Sequence, residues 1–230
     1  MQTPFISHIS PVVIPDFVGV GYQCRFDPEL FTAQSAEQLG IEFPESLHRA
    51  VTKRQAEFIA GRYLAKRCLV ALGCSETQVR ISQHRAPLWP VGMTGSISHS
   101  NNRAVCIVQP LEIAEQGIGI DIEQRMTDST ANSVKSTIIN DAEYNLIMNH
   151  YVSFAEGLTA VFSAKESLFK ALYPQVKAYF DFLDAEVVAM GRENLTLVLR
   201  KRLTANLSAG SAFTVHLQQQ EEMVQAFTQS

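Results

Sequence analysis

Two carboxylates interrupt an apolar stretch near the middle of the chain, in the sequence GIGIDIE (residues 117–123). Its isoleucines alternate as in a β-strand, so Asp121 and Glu123, two residues apart, project from the same face. Adjacent carboxylates repel each other unless a cation or a shared proton lies between them. Carboxylate oxygens completed by water and phosphate oxygens suit Mg²⁺. The alternative, from these residues alone, is a strand end at which both acids are hydrated.

A third carboxylate occurs in FSAKESLFK (residues 162–170). Glu166 is preceded by Lys165 and followed one helical turn later by Lys170, so a helix here presents an acid beside two ammonium groups. Such a group can supply a metal ligand and cations for phosphates. The alternative is an ordinary surface Glu–Lys pair, worth only ~0.2–0.5 kcal/mol.

A row of polar side chains follows two glycines in RAPLWPVGMTGSISHSNN (residues 85–102). Gly92 and Gly95 permit close approach of the backbone to a ligand, and Ser98 and His99 offer hydrogen bonds. The alternative for the histidine is a purely structural role. The segment lacks the G-x-S-x-G pattern of serine hydrolases, which disfavours that class.

Basic residues cluster in the first half of the chain. Arg54 and Arg62 are eight residues apart, about two helical turns, and so share one face. A planar guanidinium suits bidentate recognition of phosphate. The other members are Lys53, Lys66, Arg67 and, in the following loop, Arg85. Carboxylates for a metal together with cations for phosphates indicate phosphoryl-type chemistry. The sequence contains neither a P-loop nor the protein-kinase motif set, which disfavours P-loop enzymes and protein kinases.

The elements that must position these residues follow from periodicity and turn signals. Alternation predicts a strand within residues 17–27, and helical spacing predicts a helix over residues 48–72 that ends at Gly73. A second helix is predicted over residues 158–172, ended by Pro174. The tail is predicted to form an antiparallel hairpin with its turn at residues 220–222.

A weak internal repeat relates the two halves of the chain. FIAGRYLAK (residues 58–66) and FSAKESLFK share Phe, Ala, Leu and Lys at the same four positions, and VGVG (residues 18–21) resembles IGID (residues 118–121). The alternative is chance similarity. The repeat predicts an α+β fold built as a monomeric pseudo-dimer of two similar half-domains. Each is a mostly antiparallel sheet packed with a long helix, over residues 1–112 and 113–230, and the active site is expected at their junction.

Composition and charge narrow the class of protein. The 230 residues are 46% hydrophobic and 18% charged, as in ordinary globular proteins, and the net charge of −4 argues against a general nucleic-acid binder. No apolar run is long enough for a membrane span, and the N-terminus lacks the basic region of a secretory signal. The four cysteines lack C-x-x-C spacing, which favours free thiols and a cytoplasmic location.

Three ordered motifs, GSISHS (residues 95–100), GIGIDIE and FSAKESLFK, resemble the 4′-phosphopantetheinyl transferase superfamily in its surfactin-type group. RQAEFIAGRYLA (residues 54–65) and RAPLWP (residues 85–90) are similar to segments of the branch that contains enterobactin synthase component D. The matching motifs span residues 54 to 170.

The resemblance implies roles for individual residues. Asp121, Glu123 and Glu166 match metal ligands that hold Mg²⁺ against the pyrophosphate of coenzyme A. Lys165 matches a lysine near that pyrophosphate and the attacking hydroxyl. Ile122 cannot bind metal, so water would complete the shell. The residues that match further coenzyme A contacts are Arg54, Arg62, Arg85, Ser98, His99 and Lys170, with Asp121 beside them.

The implied reaction transfers 4′-phosphopantetheine from coenzyme A to a serine of an apo carrier protein and releases adenosine 3′,5′-bisphosphate. Glu166 or Lys165, directly or through water, is the candidate general base. The implied partners are carrier domains of non-ribosomal peptide, polyketide or fatty acid synthases, with siderophore synthesis favoured and docking expected on residues 127–155. The alternatives are a non-catalytic carrier-docking subunit of a synthetase complex and another Mg²⁺-dependent phosphotransferase.

Overall fold

The computed structural model describes residues 4–82, 86–112, 116–220 and 222–230. The chain divides into two compact units, Met1–Glu112 and Ile113–Ser230. Each contains an antiparallel sheet and one long helix, so the predicted α+β class with antiparallel sheets is confirmed. Among the residues that the structure describes, no helix has the length and apolar character needed to cross a membrane.

The strands of the first unit are β1 (Ile6–Pro11), β2 (Val20–Phe26), β3 (Arg80–Ile81), β4 (Pro87–Leu88), β5 (Met93–Ser100) and β6 (Arg103–Pro110). Its helices are α1 (Ala33–Leu39) and α2 (Thr52–Ala71). The main sheet has the strand order β1-β2-β6-β5, with every neighbouring pair antiparallel. A short β3-β4 ribbon lies outside this sheet.

Helix α2 confirms that a helix lies within residues 48–72, although it begins at Thr52, four residues later than predicted. Ile59, Leu64 and Cys68 on its apolar face are fully buried and form the core of the unit with the inner face of the sheet. The helix ends where expected, because Gly73 takes a φ of +75°, a left-handed conformation that glycine adopts at no steric cost.

The polar row that contains Ser98 and His99 lies on strand β5, which pairs with β6 in a tight hairpin. Asn101 and Asn102 form the turn with φ values of 47° and 59°. Positive φ at both central residues is the geometry that matches the twist of the flanking strands, and asparagine tolerates it better than most residues. The turn therefore fixes which end of β5 carries His99.

The strands of the second unit are β7 (Ile118–Gln124), β8 (Ala185–Met190), β9 (Asn194–Leu199), β10 (Ala212–Gln220) and β11 (Met223–Gln229). Its helices are α3 (Asp128–Ile138), α4 (Asp141–His150) and α5 (Phe154–Val176). The sheet has the order β7-β11-β10-β9-β8. Strands β10 and β11 form the predicted C-terminal hairpin, with Gln220 opposite Met223. Glu221, which was predicted to lie in the turn, is outside the described residues.

Helix α5 is longer than predicted at both ends. It begins after the N-cap Ser153, and it continues through Pro174, so the prediction that Pro174 ends the helix was wrong. Pro174 has no N–H to donate to the carbonyl of Lys170, so the helix loses one backbone hydrogen bond there and still continues to Val176. The end is set instead by Lys177, whose φ of 50° breaks the helical path while its N–H donates to the carbonyl of Tyr173.

Two glycines allow helix α5 to lie directly on strand β7. A Cβ atom at Gly117 would overlap the carbonyl oxygen of Ala171, and one at Gly119 would overlap that of Ser167. Because alternate strand residues share a face, Asp121 follows these glycines on the side of β7 that α5 covers. The carboxylate row therefore faces helix α5.

The close approach gives a testable expectation for stability. Gly119→Ala should lower the free energy of unfolding by about 3 kcal/mol, in the upper part of the range for overpacked cores, because the clash is with helix backbone. Urea unfolding of both proteins measures the difference. The matched control is Gly191→Ala, since a Cβ there meets its nearest neighbours at 3.4 Å. If Gly119→Ala proves as stable as the control, α5 does not pack this tightly on β7.

Candidate active site

Asp121 is at the centre of a polar group between β7 and α5. The residue is only 2% exposed. Its Oδ2 accepts a hydrogen bond from Ser163 Oγ at 2.8 Å, and its Oδ1 accepts one from Lys170 Nζ at 2.7 Å. Lys170 also donates to the carbonyl of Ile120 at 3.1 Å. The lysine is thus fixed against the strand that bears the aspartate.

Glu166 belongs to the same group. At 100° per residue, Glu166 and Lys170 lie within roughly 60° of Ser163 around the helix axis, so all three share the face that meets Asp121. The pKa of Glu166 is raised, because burial outweighs the opposing effect of Lys170 and the charge of Asp121 raises it further. No hydrogen bond or ion pair of the Glu166 carboxylate is present in the described part of the chain. Lys170 therefore pairs directly with Asp121 and acts on Glu166 only through its charge.

This donor set fits a divalent cation. Within the described ranges, no group of three or more His, Cys, Asp or Glu side chains lies close enough to hold a metal by itself. Mg²⁺, however, is usually held by one or two carboxylates together with substrate phosphates and water. A carboxylate has about four lone-pair sites, so a carboxylate that accepts hydrogen bonds can also bind a metal. Glu166 and Glu123, which is partly exposed on the same strand face as Asp121, are the other candidate ligands.

The structure does not bring Lys165 into this group. Lys165 is about 200° around the helix from Ser163 and so faces the opposite side of α5. Its ammonium forms an ion pair with Glu143 at 2.7 Å, and both side chains are 1% exposed. It also donates to the carbonyls of Ile138 at 2.7 Å and Phe182 at 3.0 Å. These three contacts use all three donors of the ammonium group.

Glu143 was missed by the sequence analysis. Its other contacts are to backbone N–H groups, those of Asn140 at 3.0 Å and Val187 at 2.8 Å. The pKa of Lys165 is lowered, because burial outweighs the opposing effect of Glu143. The only signal in the sequence is the capping box Asn140-x-x-Glu143 at the start of α4, which predicts a helix start and gives no indication of a lysine partner.

A basic group lies in the first unit, where α2 meets the end of β5. Arg54 Nη1 is 3.0 Å from His99 Nε2 and 3.5 Å from Glu57 Oε2, and the same carboxylate oxygen is 3.7 Å from His99 Nδ1. The structure therefore unites two predicted site residues, Arg54 and His99. Glu57 is an addition that the sequence analysis did not single out, although it stands within RQAEFIAGRYLA.

Arg62 is an unusual cation because it is 8% exposed and forms no ion pair with an acid in the described part of the chain. Its guanidinium lies over the ring of Phe58 at 4.6 Å, and its Nε is buried without a hydrogen bond among the described residues. Burial lowers its pKa to about 10. By contrast, Lys66 donates to two carbonyls at the end of α1. The Nε of Arg67 is likewise buried and without a hydrogen bond within the described ranges, but this residue is more exposed, lies over Tyr22 and donates to the Tyr63 hydroxyl. Of these basic residues, Arg62 has the clearest need for an anion.

Two further predicted contacts complete the set. Ser98 is 5% exposed on β5, next to His99. Arg85 lies outside the described residues.

These features define an α+β protein with carboxylates and a lysine together in one unit and a group of basic side chains in the other, a set suited to phosphoryl chemistry. Comparison with known families specifies the class. Residues 43–109 match the model of the 4′-phosphopantetheinyl transferase N-terminal domain, and residues 117–225 match that of the 4′-phosphopantetheinyl transferase superfamily.

Named relatives support the same assignment. Enterobactin synthase component D of Escherichia coli K12 is 32% identical over 200 residues, 87% of this chain and 88% of the relative. The 4′-phosphopantetheinyl transferase PptT of Mycobacterium tuberculosis is 31% identical over 60% of each chain. Svp of Streptomyces mobaraensis is 29% identical over 68% of this chain and 65% of its own. The chain belongs to the 4′-phosphopantetheinyl transferase superfamily and is a transferase.

Proposed function

We propose that the enzyme transfers the 4′-phosphopantetheine arm of coenzyme A to a serine of an apo carrier domain, with Mg²⁺, and releases adenosine 3′,5′-bisphosphate. The observation that carries the proposal is the group of Asp121, Glu166 and Lys170 on the facing surfaces of β7 and α5. It combines a half-buried glutamate, which forms no ion pair among the described residues, with an ammonium group that can also contact phosphate oxygens.

In this proposal Asp121, Glu166 and Glu123 hold the metal, which when bound polarises the pyrophosphate and neutralises its charge. Lys170 supports the same oxygens, since its side chain is only 25% exposed and its ammonium is held by Asp121. Glu166 accepts the proton of the attacking serine, directly or through water. Lys165, the other candidate base, is less favoured because its ammonium is committed to Glu143 and two carbonyls.

The nucleotide phosphates of coenzyme A are proposed to meet the basic group of the first unit. Arg62 provides a buried cation that pairs with no acid in the described ranges, and Arg54, His99 and Ser98 lie on α2 and β5. Arg85 is proposed as a further contact from the sequence alone. A phosphate would pair with Arg62 and so compensate the cost of burying its charge.

Arg62→Ala is therefore expected to weaken coenzyme A binding by about 10- to 100-fold, the range for hydrogen bonds to charged groups. Dephospho-coenzyme A, which lacks the 3′-phosphate, should be affected much less if Arg62 holds that phosphate. Calorimetric titration of both ligands measures the ratio. Arg67→Ala, on the same helix, is the control. Equal weakening of both ligands would reject the 3′-phosphate assignment.

The carrier is proposed to belong to a siderophore-producing non-ribosomal peptide synthetase, because the relative from Escherichia coli is named as an enterobactin synthase component. We also propose that the enzyme acts as a cytoplasmic monomer and that carriers dock on α3 and α4. The experiment incubates the protein, coenzyme A and Mg²⁺ with apo aryl, peptidyl or acyl carriers and reads their intact mass.

The matched control is each carrier with its acceptor serine changed to alanine. Arm addition to the aryl or peptidyl carrier alone supports the siderophore assignment, and preference for an acyl carrier would overturn it. Binding of carriers without any modification would favour the non-catalytic docking subunit instead.

A further inference from the structure

We propose that Glu57 is a positioning residue that sets the orientation of Arg54 and the tautomer of His99. The proposal rests on the proposed binding of coenzyme A phosphates by these two side chains. Glu57 itself would touch no substrate atom.

The contacts place one carboxylate oxygen against both partners. Glu57 Oε2 lies 3.5 Å from Arg54 Nη1 and 3.7 Å from His99 Nδ1. The Glu57 side chain is 15% exposed, whereas those of His99 and Arg54 are 29% and 44% exposed. The acid therefore lies beneath the two basic groups, which are the more accessible members.

The hydrogen-bonding roles follow from the arginine. A guanidinium stays protonated and can only donate. Because Arg54 Nη1 is 3.0 Å from His99 Nε2, this ring nitrogen must accept. The neutral imidazole then carries its proton on Nδ1, the nitrogen that faces Glu57 Oε2. At 3.7 Å the carboxylate is beyond hydrogen-bond distance, so it favours that tautomer by its charge and by holding Arg54 against Nε2.

The arrangement leaves Arg54 able to bind an anion. Its contacts to both Glu57 and His99 run through Nη1. The other guanidinium nitrogens can therefore make a bidentate contact with phosphate. An exposed arginine on its own would lose side-chain entropy on binding, so an acid that holds its orientation beforehand improves affinity. Glu57 thereby contributes to affinity for coenzyme A and leaves turnover alone.

The kinetic test compares Glu57→Ala and the isosteric Glu57→Gln with wild type. We expect the KM for coenzyme A to rise about 3- to 10-fold in Glu57→Ala, as for loss of one hydrogen bond. The turnover number and the KM for the carrier should stay unchanged. Repeating Glu57→Ala in an Arg54→Ala, His99→Ala background should abolish the effect. Glu37→Ala, an exposed acid in the same unit, is the matched control.

A spectroscopic test is independent of activity. Nitrogen NMR of the labelled imidazole, without coenzyme A, should show His99 protonated at Nδ1 in wild type and a mixture of tautomers in Glu57→Ala. If wild type fails to bind coenzyme A, the proposed function falls while this measurement still decides the role of Glu57. An unchanged KM, an equal effect in the double-variant background, or an unchanged tautomer would each overturn the proposal. If Glu57→Ala fails to fold, Glu57→Gln is expected to show the same changes in smaller degree.

Discussion

Glu166→Gln is expected to abolish transfer, with turnover reduced by at least about 100-fold, the scale for removing one charged group from a preorganised site. The amide keeps the shape of the side chain but has neither the charge for a metal nor the basicity to accept the serine proton. Steady-state transfer to a carrier and thermal unfolding of the same preparation measure the two effects separately.

Folding should remain intact in this variant. Burial and the neighbouring Asp121 both raise the pKa of Glu166, so its charge is unfavourable in the folded protein without a metal. Removing that charge should leave the melting temperature unchanged or raise it. Glu193→Gln, at an exposed position in the second unit, is the control. Turnover near that of wild type would remove Glu166 from the proposed metal site and from the role of base.

Lys165→Ala should have the largest effect on stability, lowering the free energy of unfolding by about 3–5 kcal/mol. The change leaves Glu143 as an unpaired charge in the interior and deprives the carbonyls of Ile138 and Phe182 of their donor. Denaturant unfolding measures this loss.

A double-mutant cycle with Glu143→Ala distinguishes a structural role for Lys165 from a catalytic one. The double variant should lose less stability than the sum of the two single variants, because the partners fail together. Assayed at a temperature at which they stay folded, the two single variants should show similar turnover. A stable Lys165→Ala protein that has lost turnover, beside an active Glu143→Ala protein, would restore the catalytic assignment.

The sequence predicted the main elements because their local signals agree with the fold. Helix α2, strand β7 and the C-terminal hairpin follow from hydrophobic spacing and turn residues. Pro174 misled because a proline removes one backbone hydrogen bond from a helix without always ending it, and the local sequence does not reveal that Lys177 adopts the conformation that ends α5. Hydrophobic spacing and turn residues therefore predicted which helices and strands form better than they predicted where each one ends.

The candidate site was predictable where it depends on periodicity within one element. The alternation of β7 correctly placed Asp121 and Glu123 on one face. Lys165 was grouped with Glu166 because the two are adjacent in sequence, although neighbours on a helix point 100° apart. Which side of α5 meets β7 depends on tertiary packing against Gly119, and the ion pair with Glu143 joins residues 22 positions apart. Such long-range partners have no local signature.

A mass balance of the products tests most directly whether the enzyme transfers the 4′-phosphopantetheine arm in a Mg²⁺-dependent reaction. Wild-type enzyme, coenzyme A and an apo aryl carrier are incubated with Mg²⁺ or with a chelator. The modified carrier is counted by intact mass, and the released nucleotide by chromatography. We expect one adenosine 3′,5′-bisphosphate for each arm transferred, and we expect neither product when the chelator is present. Nucleotide release without arm addition, or no products from any carrier with Mg²⁺ present, would contradict the proposed reaction.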